Sequence, residues 1–138
     1  MQNWLAMLIG GAAGVIVSAI VVLLYRASNK KKLQDAIVKE TLTPIIASLC
    51  RNAGISARSI LRLCVGANTT MNHLFLGVDA EPVRMEPYIP SFFAWEGLLA
   101  GDLKLPANPL APVLIAPNIG SYVGGDITAG TLAAGIWD

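Results

Sequence analysis

Ile60-Leu61-Arg62-Leu63-Cys64-Val65-Gly66-Ala67-Asn68-Thr69-Thr70-Met71-Asn72-His73-Leu74-Phe75 is the stretch on which the fold turns. Its first six residues have the length of a strand and are apolar on both faces apart from Arg62, the pattern of a strand covered by helices. Gly66 to Thr70 supply a tight polar turn, and Asn68 or Thr69 can cap the helix that carries Met71, Leu74 and Phe75. A strand running through a turn into a helix N-terminus offers backbone N–H groups to an anion or a ligand. The pattern predicts an α/β fold.

Upstream, Leu33, Ile37, Leu42, Ile45, Ile46 and Leu49 recur at helical spacing, which predicts an amphipathic helix from about Leu33 to Ala53 with Gly54 as its stop. Pro44 lies inside this pattern. It lacks an N–H and crowds the preceding turn, so a bend or a split is expected there. Downstream, Gly77 to Pro112 holds six of the eight prolines and predicts loops that wrap the domain, with one short helix around Trp95 to Ala100. Val113-Leu114-Ile115-Ala116 is a second candidate strand. Gly124-Gly125-Asp126 introduces a final helix from Ile127 to about Ile136, with Asp126 as its cap.

The chain has 138 residues, 54% of them hydrophobic, and a net charge of +1. That leaves room for one folded domain of roughly 100 residues beside a separate N-terminal segment. No nucleic-acid footprint emerges, because the only basic cluster is Arg26 with Lys30, Lys31 and Lys32. Cys50 and Cys64 have neither a Cys-x-x-Cys spacing nor a histidine cluster beside them, so both read as buried thiols rather than ligands or a disulfide.

Trp4 to Tyr25 carries no charge, and about 22 residues at 1.5 Å each span roughly 33 Å, the thickness of a hydrocarbon core. Trp4 and Tyr25 mark its two ends and the basic cluster follows it. Residues 1–32 are therefore expected to form a single-pass anchor in a lipid bilayer, with the N-terminus outside and residues 33–138 cytoplasmic. Gly10, Gly14 and Ser18 recur every four residues and make a flat face on which two such helices can pair as a homodimer.

Val65 to Gly77, with Asn68-Thr69-Thr70-Met71-Asn72-His73 at its centre, resembles a block of the reductive activators of corrinoid proteins. Glu86-Pro87-Tyr88-Ile89-Pro90 and Ile119 to Gly130 resemble two further blocks in the same order, and Leu33 to Ile60 resembles the helix before the first. The C-terminal half of that family is a domain of the acetate and sugar kinase, Hsp70 and actin superfamily. The resemblance therefore implies an incomplete actin-like ATPase (ribonuclease H-like) subdomain. It also implies ATP and Mg²⁺ as cofactors, and a corrinoid protein, or a complementary ATPase half, as partner. Such activators use ATP to drive the one-electron reduction of Co(II) corrinoid to Co(I), and many carry an N-terminal [2Fe-2S] domain.

The sequence departs from that pattern in three ways. It has no four-cysteine cluster, so an iron-sulfur centre is not expected. The family's two Asp-Ile-Gly-Thr phosphate loops are absent, and Asp126-Ile127-Thr128 lacks the glycine that admits a phosphate. The apolar N-terminal run stands where upstream domain sequence belongs.

By the resemblance, Asn68, Thr69 and Thr70 face a nucleotide cleft, and Gly124, Gly125 and Asp126 line it from the other side. Each also has a reading without ligand, as a helix cap or turn residue. His73 reads as packed rather than as a general base, and no nucleophile, base and orienting group can be assembled. The expectation is a membrane-anchored portion of a corrinoid-activator ATPase that is inactive alone. The alternative is a membrane-tethered interaction module without chemistry.

Overall fold

A computed structural model describes residues 23, 24 and 26–136. Residues 26–53 are helical throughout, so the first helix begins earlier than its apolar stripe suggests. Its middle section, Ala36–Leu42, is π-helical, and its last section, Thr43–Ala53 (α1), is α-helical with Pro44 in the first turn. The expected split at Pro44 is thus replaced by a widened turn just before it. The Thr43 N–H reaches back five residues to the Val38 carbonyl, and the Thr43 hydroxyl donates to the same oxygen at 2.8 Å. The insertion relieves the crowding a proline ring imposes on the preceding turn, and the helix continues. Gly54 ends it in the left-handed conformation, φ 66°, with its N–H returning to the carbonyls of Cys50 and Arg51.

Two short strands, Leu63–Val65 (β1) and Val113–Ile115 (β2), pair in parallel with Leu63 opposite Val113 and Val65 opposite Ile115. The crossover between them carries Thr69–Leu76 (α2) and Glu81–Arg84 (α3), and Gly125–Ala133 (α4) follows β2. The architecture is α/β, as expected. Among the described residues, however, only one face of the sheet is covered. Leu63, Val65, Val113 and Ile115 belong to the core or pack against it, whereas Leu114 is half exposed and Cys64 is exposed. Cys64 is therefore not the buried thiol its apolar neighbours suggested; Cys50 is.

The core gathers Val38 and Phe75 with Ala100, Leu103, Leu105, Ala107, Ala111 and Val113. The proline-rich stretch thus wraps the domain and supplies much of its interior. Its short helix is α3 rather than the one expected at Trp95 to Ala100. Pro82 sits in the first turn of α3, where a missing N–H costs nothing, and the Asp79 carboxylate accepts the Glu81 N–H at 3.0 Å. Near Ala100 the chain is held instead by backbone pairing of Leu99 with Pro112.

The single-pass membrane location is corrected. Among the described residues no helix is long and apolar enough to cross a membrane. Trp4 to Tyr25 lies outside the described residues except for residues 23 and 24, and so do Gly10, Gly14 and Ser18. The basic cluster, expected at a headgroup layer, instead docks the first helix onto the crossover. Lys30 Nζ is 3.0 Å from the Asp79 carboxylate and Arg26 is 3.7 Å from Glu81. Beside them the Gln34 amide donates to the Phe75 carbonyl at 3.0 Å.

Candidate functional site

The turn after β1 is built by side chains that complete the start of α2. Asn68 is extended and its Oδ1 accepts the Met71 N–H at 2.8 Å, which makes it the cap. Thr69 is 1% exposed, and its hydroxyl donates to the Gly120 carbonyl at 2.7 Å, tying α2 to the loop before α4. Its own carbonyl lies 2.7 Å from His73 Nδ1, while the Ser91 N–H donates to His73 Nε2 at 3.0 Å. Because Nε2 accepts, Nδ1 carries the proton and donates to Thr69. The fully buried ring stacks on Phe92 at 4.4 Å, and Phe92 meets Trp95 edge-on. His73 is a packed residue bonded at both nitrogens, as the sequence indicated.

On the facing side, Gly124 is the N-cap of α4 and Gly125 is its first residue. A Cβ on Gly124 would sit 2.5 Å from the Thr69 nitrogen, and one on Gly125 would sit 2.4 Å from the Ala116 oxygen. The glycines are there so that two stretches of protein backbone can touch. Asp126 is not the cap. It lies in the first turn with its carboxylate exposed, accepting the Ile127 N–H at 2.9 Å, where negative charge complements the helix end.

The two helix N-termini thereby converge on an open notch of about 370 Å³. Asn68, Thr69 and Thr70 form one wall, and Gly124 and Asp126 form the other. Five of the six sequence-predicted residues come together here; Gly125 is turned away against Ala116. The rim adds Ser121 and Tyr122, which sequence reasoning did not single out. Tyr122 is 80% exposed, its ring 5.9 Å from Tyr88, and the Ser121 hydroxyl donates to the Tyr88 carbonyl. Both residues lie in the Ile119 to Gly130 block, but a Ser-Tyr pair in a loop carries no ligand signature of its own.

Chemically the notch combines the start of α2, whose positive end favours an anion, with the Thr70 hydroxyl and one carboxylate, whereas the first N–H groups of α4 are taken by Asn118, Ala67 and Gly124. Thr69's hydroxyl is committed to Gly120, so Thr70 and Asp126, with the exposed Tyr122 on the rim, are side chains free to meet a ligand or a ligand-bound cation. Among the described residues no group of three or more metal-binding side chains forms. A second depression, about 470 Å³ and almost wholly apolar, lies on the uncovered sheet face between Cys64, Leu114 and Leu132.

Residues 12–138 match the family described as RACo middle region. The chain is 35% identical over 98 residues to the corrinoid activation enzyme RamQ of Eubacterium limosum, an alignment covering 71% of this chain and 16% of that enzyme. A solved structure described as a reductive activator for corrinoid, iron-sulfur protein matches with a TM-score of 0.75 and 38% identity, over 87% of this chain and 19% of that one. The chain spans less than a fifth of the length of either relative.

Proposed function

The chain belongs to the RACo middle-region family, and from that premise we propose that it forms one wall of the ATP cleft of a corrinoid-activating ATPase. The observation that carries this is the convergence of the α2 and α4 N-termini on one notch, forced by the backbone contact at Gly124. A polyanion with Mg²⁺ is the ligand such a place suits: the N-terminal end of α2 meets phosphate oxygens, and Asp126 with Thr70 stands beside it for the hydrated cation. The domain is then an actin-like ATPase subdomain, running from residue 33 to the end of the chain. Its partner is the complementary ATPase half, and the corrinoid protein is the target of the assembled cleft.

In this reading the chain alone turns over no ATP. Phosphoryl transfer needs preorganised donors on every phosphate and a firmly held Mg²⁺. The sequence offers no Asp-Ile-Gly-Thr loop for that purpose. The apolar depression at Cys64, Leu114 and Leu132, which no described residue covers, is a surface on which such a partner can dock, because an apolar surface of this kind is normally covered.

The test is complementation. A fluorescent ATP analogue with Mg²⁺ is titrated into the chain alone, into a polypeptide carrying the two Asp-Ile-Gly-Thr loops, and into their mixture. Saturable binding only in the mixture is expected. Steady Mg²⁺-dependent hydrolysis by the isolated chain would overturn the reading.

A further inference from the structure

We propose that Asn72 and Asn118 form a one-directional amide clamp that sets the spacing of the two helix N-termini at the notch. Asn72 is fully buried and Asn118 is 4% exposed. The Asn72 amide nitrogen donates to the Ala67 carbonyl at 3.1 Å and to Asn118 Oδ1 at 2.9 Å. The same Asn118 oxygen accepts the Gly125 N–H at 3.3 Å. Ala67 also receives the Asp126 N–H, at 3.1 Å. One amide group on α2 thus reaches both the turn that starts α2 and the asparagine that holds the start of α4.

This arrangement answers a problem the close approach creates. An N-cap side chain ordinarily accepts the first free N–H groups of its helix. At position 124 no side chain fits, since its Cβ would strike the Thr69 backbone nitrogen. The acceptors come from outside the helix instead: Asn118 takes the N–H of Gly125, the first helical residue, and the Ala67 carbonyl takes that of Asp126, the second. The clamp is also directional: Asn72 Oδ1 and Asn118 Nδ2 have no partner among the described residues. Only the Asn72 nitrogen and the Asn118 oxygen act.

Direction makes the two positions unequal. Asn118→Asp keeps the oxygen that accepts both bonds and places its charge at the positive end of α4. Asn72→Asp removes both donated bonds and turns a carboxylate toward two oxygens. A pair that served only as core filling would respond alike to the two changes. The bearing of the clamp on nucleotide binding rests on the function proposed above; its geometry does not.

The experiment follows backbone amide exchange by NMR in the full chain, with Tm recorded in parallel. Asn118→Asp leaves exchange at Gly125 and Asp126 within about twofold of the parent, whereas Asn118→Leu and Asn72→Asp accelerate it by about tenfold or more. If Asn118→Asp matches Asn118→Leu, fails to fold, or is no milder than Asn72→Asp, the clamp is refuted. A second arm measures the ATP analogue on the complemented pair, where Asn72→Asp weakens binding and Asn118→Asp does not. Should the parent pair bind no nucleotide while the exchange asymmetry persists, the proposed function falls and the clamp stands.

Discussion

The start of α2 and the far side of the sheet are treated oppositely by the same chain. At α2, Thr69, Asn72 and His73 are buried, and hydrogen bonds through them hold two distant loops. Across the sheet, Leu114 is 50% exposed, Leu132 on α4 is 69% exposed, and the only buried residue of α4 is Gly125. The polar side is largely paired by the chain's own groups, Asn72 Oδ1 and Asn118 Nδ2 excepted, while among the described residues nothing covers the apolar side. A buried polar group left without a partner costs about 1–3 kcal/mol, so the fold pairs most of them. An apolar face can wait for a covering surface at much lower cost per atom.

That contrast can be broken at its strongest point first. Phe75→Ala, in the closed core between α2 and the wrapping loop, is expected to lower stability by about 3–5 kcal/mol in urea unfolding, through lost burial and the cavity left behind. A loss below about 1 kcal/mol would mean that this half is no better packed than the open one. Next, Gly124→Ala drives a methyl group into the Thr69 backbone and should cost about 1–3 kcal/mol, with amide shifts concentrated at residues 68–70 and 124–126. A neutral result would deny that the two helix ends are in contact.

Asp79→Asn should cost less than about 1 kcal/mol, since its pair with Lys30 is part-exposed. The Asp79 carboxyl is held below its ordinary value by the Glu81 backbone N–H first, and then by Lys30. Its folded-state pKa is thus depressed. The stabilisation is fully present above the unfolded carboxylate value of about 3.9 and is lost as pH falls through the lower folded value. The parent and the variant should therefore differ in Tm near neutrality and converge under acid. The smallest stability effect belongs to Leu132→Asp, within about 0.5 kcal/mol for the chain alone. The same change should abolish association with the complementary half proposed above in analytical ultracentrifugation, and undiminished association would show that the open face is not its docking surface.

Local signals were legible where the physics is local. Asn68 as cap and Gly54 as stop stand as the residues indicated, and both strands are present, the first shortened from Ile60–Val65 to Leu63–Val65, because capping, left-handed backbone and strand patterning depend on near neighbours. The candidate site was legible as two segments, and their meeting was not. Nothing in Gly124-Gly125-Asp126 says that the close contact is with Thr69 and Ala116, or that Asn118 and the Ala67 carbonyl accept the first N–H groups of α4. The basic cluster shows the same division. Its charge was evident, but Asp79 and Glu81, which receive it, are some fifty residues away and are brought near only by the crossover.

The sequence by itself determined an α/β chain with a strand-turn-helix element and its family blocks, since backbone propensity, capping and periodicity act over a few residues. Tertiary structure alone decided that Thr69 is buried and Cys64 exposed, that Pro44 is absorbed by a π-helical turn, and that Lys30 pairs with Asp79. Burial and pairing depend on which surfaces the rest of the chain brings to each face, and that is a property of the whole fold rather than of any window of sequence.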